Sequence, residues 1–291
     1  MPYTFHASSD DLALSEATFA SLRDLIYQAS GLHFDKLNKQ TFEHRLRARV
    51  RALGFQSFER YYLYLRFDRR GEQELARAID ALAVHETYFF REERALEAFR
   101  WEILPQLART NARARVLRLW SAGCSTGEEA YTLAMLVREA GLFDDWRVEI
   151  VGSDISARAI QQAEAGIYER PSFRALKSER KERYFVRLDE DRWQVRDELR
   201  RLVRFNVVNL LDASAVEAER NFDVVFCRNV LLYFDERARR RAALALYRAL
   251  RADGYLVLGA TESLAALELP FKLIYLKNDL VYKKVTDSIS P

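Results

Sequence analysis

The chain has 291 residues, of which 46 are Lys or Arg and 43 are Asp or Glu, so its formal net charge is only +3. This even balance argues against a general nucleic-acid binder, because such proteins normally carry a clear excess of basic residues. The length predicts one large or two modest domains, and the hydrophobic content of 49% is enough for a real core. No apolar run approaches the roughly 18 residues of a membrane-spanning helix.

The chain begins M-P-Y-T-F-H, which has neither the basic start nor the apolar core of a secretion signal. Its two cysteines, Cys124 and Cys227, are far apart and lie in apolar contexts, so a disulfide framework is not expected. Neither has a nearby His or the spacing of a metal ligand. We therefore interpret both cysteines as small buried residues and expect no metal. The missing secretion signal and disulfide framework together predict a cytoplasmic protein.

Residues 1 to about 85 carry helical patterns only, which predicts a small all-α domain. Ser15 is a possible cap of the first helix and Gly31 its stop, and Gly54 ends the second. Ser57 can cap a third helix, and a fourth follows Gly71. The apolar residues at helical spacing are Leu14, Phe19, Leu22, Leu25, Ile26 and Ala29; Phe42, Leu46, Val50 and Leu53; Phe58, Tyr61, Tyr62 and Leu65; and Leu75, Ile79 and Leu82.

From residue 115 onward, short apolar runs alternate with helical patterns, which predicts a parallel β-sheet with helices on its faces. The first five predicted strands are 116–120, 148–153, 202–206, 222–227 and 255–259. Two further runs, 271–276 and 280–284, are separated by so few residues that they form an antiparallel hairpin. A Rossmann-like seven-stranded sheet that ends in such a hairpin is the methyltransferase variant of the α/β fold.

One segment interrupts this alternation, because about 50 residues separate the second predicted strand from the third. Runs 184–188 and 193–195 look like short strands around an acidic D-E-D turn. We therefore predict a small inserted β-subdomain over about 166–200, with an irregular surface excursion as the alternative. The predicted domains are a helical one over 1–85 and an α/β one over 86–291.

The stretch R-L-W-S-A-G-C-S-T-G-E-E-A-Y, which begins at Arg118, reads as a strand, a glycine-bearing turn and a helix. In dinucleotide-binding folds such a helix start attracts pyrophosphate. Here Glu128 and Glu129 occupy it, and two carboxylates would repel phosphate. They suit a phosphate-free nucleoside that carries an amine, as S-adenosylmethionine does. The alternative is an ordinary turn whose acidic residues only stabilise the helix start.

Polar residues follow three of the other predicted strands, where ligands bind in open α/β sheets. Asp154 is positioned to accept hydrogen bonds from a ribose, or else caps the next helix. Asn209 and Asn229 each lie just beyond a strand end, in N-V-V-N-L-L-D and C-R-N-V-L-L-Y-F. An amide side chain suits an adenine edge or an amino-acid zwitterion, although Asn is also common in turns.

Two further features remain open from the residues alone. The segment H-E-T-Y-F-F-R-E, residues 85–92, predicts a partly buried linker, and a packing plug between domains is equally compatible with it. The second helix carries four arginines that flank its apolar face on both sides, which favours either a solvated basic helix or a surface for an acidic partner. These are Arg45, Arg47, Arg49 and Arg51.

Taken in order, S-A-G-C-S-T-G-E-E-A-Y, T-Y-F-F-R-E, S-D-I, N-L-L and F-C-R-N-V-L-L-Y-F-D resemble the motifs of the chemoreceptor glutamate methyltransferases, the CheR type. The resemblance covers nearly the whole chain, including the helical N-terminal domain and the β insert. It implies transfer of a methyl group from S-adenosylmethionine to glutamate γ-carboxylates in the cytoplasmic helical bundle of a receptor, with S-adenosylhomocysteine as the other product.

The resemblance also implies roles for individual positions. Arg91 and Tyr233 would lie nearest the reacting methyl group, and Arg45, Arg49 and Arg51 would form the basic helix that faces the acidic receptor. Glu129, with Glu128 beside it, would hold the amino end of the cofactor, and Asp154 its ribose. The remaining cofactor contacts implied are His85, Thr87, Arg91, Asn209, Leu210, Asn229 and Val230.

The chain departs from the family pattern at two of these motifs. His85 stands where the family usually has Asn, which puts this cofactor contact in doubt. Ala130 stands where proline is common, a harmless change because Ala suits the first turn of a helix. The insert is also short and poor in glycine, so we expect an enzyme that does not depend on a receptor's C-terminal tether peptide.

A glutamate side chain is already anionic at neutral pH, since its unperturbed pKa is about 4.3, and so needs no general base. We therefore expect catalysis to rest on orientation and the exclusion of water. We also expect the protein to be a monomer that binds no nucleic acid and does not insert into a membrane. Two alternatives remain from the sequence: a methyltransferase of another protein or a small molecule, and an S-adenosylmethionine-sensing interaction module without turnover.

Overall fold

A computed structural model of the chain describes residues 12–285. The N-terminal hexapeptide, which contributed to the expectation of a cytoplasmic protein, lies outside them. The chain divides into two compact units, Met1–Val84 and His85–Pro291. Between residues 12 and 285, no helix has both the length and the apolar character that crossing a membrane requires.

The first unit is helical, as predicted. Ser15 caps its first helix by accepting the N–H of Thr18, and Gly31 ends that helix with a left-handed φ of 76°. Ser57 likewise caps the third helix, through the N–H of Arg60. The apolar residues at helical spacing form the core, except that Leu53 is exposed and Ala29, Tyr62 and Leu75 are half-buried. The helices are α1 (Glu16–Ser30), α2 (Lys39–Ala52), α3 (Phe58–Phe67) and α4 (Gly71–Leu82).

The second unit is built on a seven-stranded sheet, and this confirms the predicted fold class. The strands of the sheet are β1 (Val116–Ala122), β2 (Arg147–Asp154), β6 (Val203–Val207), β7 (Phe222–Cys227), β8 (Leu250–Leu258), β9 (Phe271–Tyr275) and β10 (Leu280–Lys284). Their order is β6-β2-β1-β7-β8-β10-β9. The first five run parallel, and the hairpin adds β10 antiparallel to β8.

Helices cover the sheet and connect its strands. One nearly continuous helix precedes β1, formed by α5 (Glu93–Ala98), a π-helical turn (Phe99–Ile103) and α6 (Leu104–Thr110). The later helices are α7 (Glu128–Ala140), α8 (Ala157–Ala165), α9 (Ser178–Tyr184), α10 (Asp197–Arg200), α11 (Ala213–Ala218) and α12 (Glu236–Ala249). One face of α7 packs on β1, β2 and β6, and the first turn of this helix lies at the carboxyl ends of these strands.

The insert is a three-stranded antiparallel sheet in the order β3-β5-β4. Its strands are β3 (Ile167–Glu169), β4 (Phe185–Arg187) and β5 (Arg192–Val195). The inserted β-subdomain was predicted, but β3 was not, because a three-residue strand leaves no periodicity to detect. Tyr184, predicted as strand, instead ends α9, because its helical turn continues to that residue.

Candidate functional site

The carboxyl ends of β1, β2, β6 and β7 meet at one edge of the sheet, on both sides of the point where the strand order reverses. Between β1 and α7 the chain makes a tight loop, in which the N–H groups of Gly123 and Cys124 both donate to the carbonyl of Ser153. Gly127 has a left-handed φ of 94°, and a Cβ there would come within 2.7 Å of the Cβ of Ala163. A side chain is therefore excluded at this position, and the loop can close tightly against its neighbours.

Glu129 points into the protein beneath this loop. Its carboxylate accepts hydrogen bonds from the hydroxyl of Ser121 (2.7 Å) and from Nη1 of Arg228 (3.1 Å). Burial raises the pKa of Glu129 above its usual value, and the charge of Arg228 opposes that shift. A carboxylate oxygen can accept more than one hydrogen bond, so Glu129 retains the capacity to bind an amine.

Glu128 is the neighbouring carboxylate but has different partners. It accepts from the hydroxyls of Thr126 (2.7 Å) and Ser172 (2.9 Å), and only 2% of the residue is exposed. Burial raises its pKa, and the hydrogen bond from Thr126 opposes the shift. Ser172 belongs to the insert, so Glu128 connects the glycine loop to the insert while Glu129 faces β7.

Asp154 ends β2, as the sequence indicated. Its two oxygens accept the backbone N–H groups of Ser125 and Ser156, each at 2.9 Å. The helix cap proposed as its alternative role is instead the hydroxyl of Ser156, which accepts the N–H of Ala159 at the start of α8. Asp154 therefore fixes the loop after β1 onto the end of β2 and stays half-buried at the predicted ribose position.

Residues 85–92 lie along the same edge of the sheet. Nδ1 of His85 is 3.5 Å from the hydroxyl of Ser125. Phe89 is fully buried against Tyr168, Phe173 and Phe185 of the insert. Phe89 thus packs within the second unit and holds the polar residues of this segment beside the loop. The packing plug between domains that was the alternative for this segment stays a prediction.

Thr87 and Arg91 are both half-buried in this segment. The guanidinium of Arg91 donates to the carbonyl of Glu86, and its centre lies 5.9 Å from the ring of Tyr88. Its Nε is 3.9 Å from a carboxylate oxygen of Glu92.

The loop after β7 is held by acidic side chains. Asn229 has a left-handed φ of 59°, and its amide donates to Glu92 (2.9 Å). Glu262 accepts four backbone N–H groups, those of Asn229, Val230, Leu232 and Gly259, at 2.7 to 3.2 Å. The side chain of Val230 fills the space where a Cβ on Gly123 would lie, at 2.4 Å. The loops after β1 and β7 therefore touch.

The remaining predicted cofactor and catalytic positions lie on adjacent loops. Asn209 accepts the N–H of Leu211 through its side chain (3.0 Å), the turn arrangement that was its alternative role, and Leu210 is 7% exposed. Tyr233 ends a short 3-10 helix that follows Val230 and is half-buried.

The three arginines predicted to recognise a substrate differ in their surroundings within the first unit. Arg45 donates to the carbonyl of Leu82 (2.7 Å). Arg49 forms a two-pronged ion pair with Glu74, a residue that is 1% exposed and also accepts the hydroxyl of Tyr61 (3.0 Å). Arg51 is exposed. The charge of Arg49 is thus compensated inside the helical unit.

The residues present fit S-adenosylmethionine better than a phosphate-bearing nucleotide. The first turn of α7, where a helix attracts anions, already carries the carboxylates of Glu128 and Glu129. A third carboxylate, Asp154, stands at the next strand end. This acceptor-rich set suits an ammonium group and ribose hydroxyls.

Cys124 and Cys227 are both fully buried, and burial raises the pKa of each thiol well above its usual value. Between residues 12 and 285, the structure contains no cluster of three or more His, Cys, Asp or Glu side chains that could hold a metal ion.

The sequence placed Arg228 at the strand end in C-R-N-V-L-L-Y-F but gave no role to it, to Glu92 or to Glu262, although these side chains hold the edge of the site together. A charged residue directly after the wholly buried run F-D-V-V-F-C was the one available signal for Arg228. Glu92 and Glu262 gave none, since an acidic residue in a loop is ordinary.

Two family models match the chain. "CheR methyltransferase, all-alpha domain" matches residues 17–83, and "CheR methyltransferase, SAM binding domain" matches residues 85–279. "Chemotaxis protein methyltransferase 2" of Vibrio cholerae is 34% identical over 94% of this chain and 95% of its own. Proteins named "Chemotaxis protein methyltransferase" are 32% identical in Borreliella burgdorferi (92% and 96% covered) and 35% identical in Salmonella typhimurium (90% and 89% covered).

Proposed function

The chain belongs to the CheR methyltransferase family, and we propose that it methylates the side-chain carboxylates of glutamates in the cytoplasmic helical bundle of chemoreceptor-type proteins. The methyl group comes from S-adenosylmethionine, and the products are a glutamyl methyl ester and S-adenosylhomocysteine. The names of the relatives support chemotaxis proteins as the substrates.

The observation that carries this proposal is the pair of carboxylates, Glu129 and Asp154, at the carboxyl ends of β1 and β2. Glu129 binds the amino group of the cofactor, and Asp154 binds its ribose. The pocket is completed by Thr87, Asn209, Leu210, Asn229 and Val230. His85 also lines it, and a hydrogen bond with the hydroxyl of Ser125 would orient the imidazole ring. Glu128 supports the pocket from the insert side.

Bound S-adenosylmethionine supplies a methyl group that is already activated by its positive sulfur. The protein therefore needs no acid, base or metal to start the reaction, only orientation and a dry site. Arg91 aligns the substrate carboxylate with its planar fork, and Tyr233 steers the approach. One arginine suffices because several would hold the carboxylate so tightly that it lost nucleophilicity.

The helical unit recognises the receptor through α2. Arg51 is the exposed arginine of the predicted three and makes the direct contact with acidic receptor side chains. Arg45 and Arg49 keep α2 in place through their bonds to Leu82 and Glu74, which both belong to α4.

The proposal is tested by incubating the protein with methyl-labelled S-adenosylmethionine and cytoplasmic receptor fragments from the same organism. We expect label on the receptor that alkali releases as volatile methanol, which marks a carboxyl ester. Label that resists alkali, or that goes only to other proteins or small molecules, would refute glutamate methylation. Cofactor binding without any transfer to a panel of receptors would instead support a sensing module.

The role of Arg91 is tested with Arg91→Ala. We expect a loss of turnover of roughly 100-fold or more, since positioning contributes several kcal/mol to such reactions, with cofactor affinity changed less. The matched control is Arg94→Ala, an exposed arginine on the adjoining helix α5. Full methylation by Arg91→Ala at unchanged cofactor affinity would disprove the role.

A further inference from the structure

Arg228 is the most buried cation of the site, with only 2% of its side chain exposed. Its guanidinium lies between two carboxylates that belong to different parts of the chain. Nη1 donates to Glu129 of α7 (3.1 Å), and Nη2 lies 3.3 Å from the carboxylate of Glu92. Nη2 also donates to the backbone carbonyl of Arg91 (2.6 Å). One side chain thus contacts both the cofactor-binding carboxylate and the segment that carries Arg91.

These three charges depend on one another, because Arg228 is buried and the side chains of Glu129 and Glu92 are only 16% and 26% exposed. An isolated ion in a protein interior loses its hydration and is strongly destabilised unless an opposite charge and hydrogen bonds replace the water. Glu129 has Ser121 as its other hydrogen-bond donor, and Glu92 has Asn229 and the N–H of Ala260. Arg228 is the cation common to both carboxylates.

We propose that Arg228 is a positioning residue, which holds the carboxylate of Glu129 in the cofactor pocket and fixes the Arg91 segment to the carboxyl end of β7. It acts through these neighbours rather than on the reacting atoms. The inference rests on the proposed function, since it gives Glu129 and Arg91 the roles assigned there.

The Glu92 side of this arrangement explains how Arg91 is held. Glu92 has a left-handed φ of 53°, a conformation that a residue with a side chain rarely adopts without compensating contacts. Its carboxylate and carbonyl are bound to Arg228, and its carboxylate also to Asn229. Arg228 therefore stabilises the turn directly after Arg91 and so sets where that guanidinium emerges.

The Glu129 side predicts a change in pH dependence. The ionisable groups that face Glu129 are Arg228, Glu92, Cys124 and Cys227, and of these only Arg228 is a cation. Burial raises the pKa of Glu129, and removing Arg228 would raise it further. Because an ammonium ligand needs the ionised carboxylate, affinity falls as pH drops through this pKa. Without Arg228 that fall moves to higher pH.

The experiment measures binding of S-adenosylhomocysteine by calorimetry between pH 5.5 and 8.5, together with receptor methylation rates. The variants are Arg228→Met and Arg228→Lys. The control is Arg118→Met, which removes a partly buried arginine that is paired with the carboxylate of Glu149, away from the carboxyl ends of the strands. Circular dichroism checks that each variant is folded.

We expect Arg228→Met to bind roughly 10- to 100-fold more weakly at pH 7.5, as the loss of charge-assisted hydrogen bonds implies. Its affinity should also fall at a higher pH than in the wild type, and its turnover at saturating cofactor should drop. Arg228→Lys keeps the charge but not the fork, so we expect the wild-type pH midpoint with reduced affinity and turnover. Arg118→Met should change neither midpoint nor affinity.

A folded Arg228→Met with wild-type affinity and an unshifted pH midpoint would overturn the positioning role and leave the proposed function intact. If that variant does not fold, Arg228→Lys decides, because wild-type affinity and turnover in it would equally overturn the role. A wild-type protein that does not bind S-adenosylhomocysteine at all would overturn the proposed function and this inference with it.

Discussion

Replacing Arg49 by Met separates a structural role of the basic helix from a role in recognition. Arg49 holds Glu74, whose side chain is only 2% exposed, with Nε at 2.9 Å from one carboxylate oxygen. In Arg49→Met the buried carboxylate of Glu74 keeps the hydrogen bond from the hydroxyl of Tyr61. Nη1 of Arg77 lies 3.6 Å from the other oxygen of that carboxylate. Neither replaces a two-pronged partner, so Glu74 becomes an undercompensated buried charge.

The expected cost follows from that geometry. Breaking a buried ion pair by removing one partner destabilises a protein by about 3–5 kcal/mol, because the remaining charge stays in the interior. Replacing both partners by apolar residues of similar volume is nearly neutral by comparison. We therefore expect Arg49→Met to destabilise the helical unit strongly and the double variant Arg49→Met/Glu74→Leu to recover most of the loss.

Hydrogen exchange of the α2 and α4 amides, followed by mass spectrometry, measures this loss in the full-length protein. A change of about 3–5 kcal/mol accelerates exchange from global opening of the unit by ~100-fold to several thousand-fold, at 1.4 kcal/mol for each factor of ten. The control is Arg60→Met on the surface of α3, which should change exchange by less than about threefold, since exposed substitutions cost under ~0.5 kcal/mol.

Methylation by the stable double variant then reports what Arg49 contributes as a direct contact. With its fork already occupied by Glu74, we expect the KM for receptor to stay within about twofold of wild type, whereas Arg51→Met should raise it, as lost rim charges weaken association. Unchanged exchange in Arg49→Met would refute the structural reasoning. A large rise in KM for the double variant would show that Arg49 contacts the receptor after all.

Three further outcomes concern the cofactor pocket. Glu129→Gln should weaken S-adenosylhomocysteine binding by roughly tenfold or more, since a charged hydrogen bond is lost. Glu128→Gln should bind S-adenosylhomocysteine nearly as tightly as the wild type. Equal losses of affinity in the two variants, measured by calorimetry, would contradict this division of roles. Because burial raises the folded-state pKa of Glu128, the stability that its titration contributes is complete below its unfolded pKa of ~4.3 and is lost as pH rises through the folded value. Glu128→Gln should therefore have a higher melting temperature than the wild type at pH 8 but not at pH 4. A lower melting temperature of the variant at pH 8 would contradict this reasoning. Glu262→Gln should lower the unfolding free energy by about 1–3 kcal/mol, as one charged acceptor of four N–H groups becomes neutral, and urea titrations that match wild type would count against it.

Much of the fold followed from the sequence because its causes are local. A hydroxyl at Ser15 or Ser57 caps a helix through a backbone N–H three residues away, and Gly31 ends one by adopting a left-handed φ, so neighbouring residues suffice to predict these boundaries. Alternating strands and helices then force a parallel sheet. The carboxyl ends of that sheet bring Glu129, Asp154 and Asn229 to one edge, as the strand-end motifs predicted.

The tertiary structure decided which charges meet. Helical spacing placed Arg49 at the flank of an apolar face, but its partner Glu74 lies 25 positions along the chain, on another helix. Arg228 meets Glu92 and Glu129 from segments 136 and 99 positions away. β3 likewise exists only because β5 pairs with it. Local patterns carry the hydrophobic period and the caps, whereas compensation of a buried charge depends on contacts that form only when distant segments pack together.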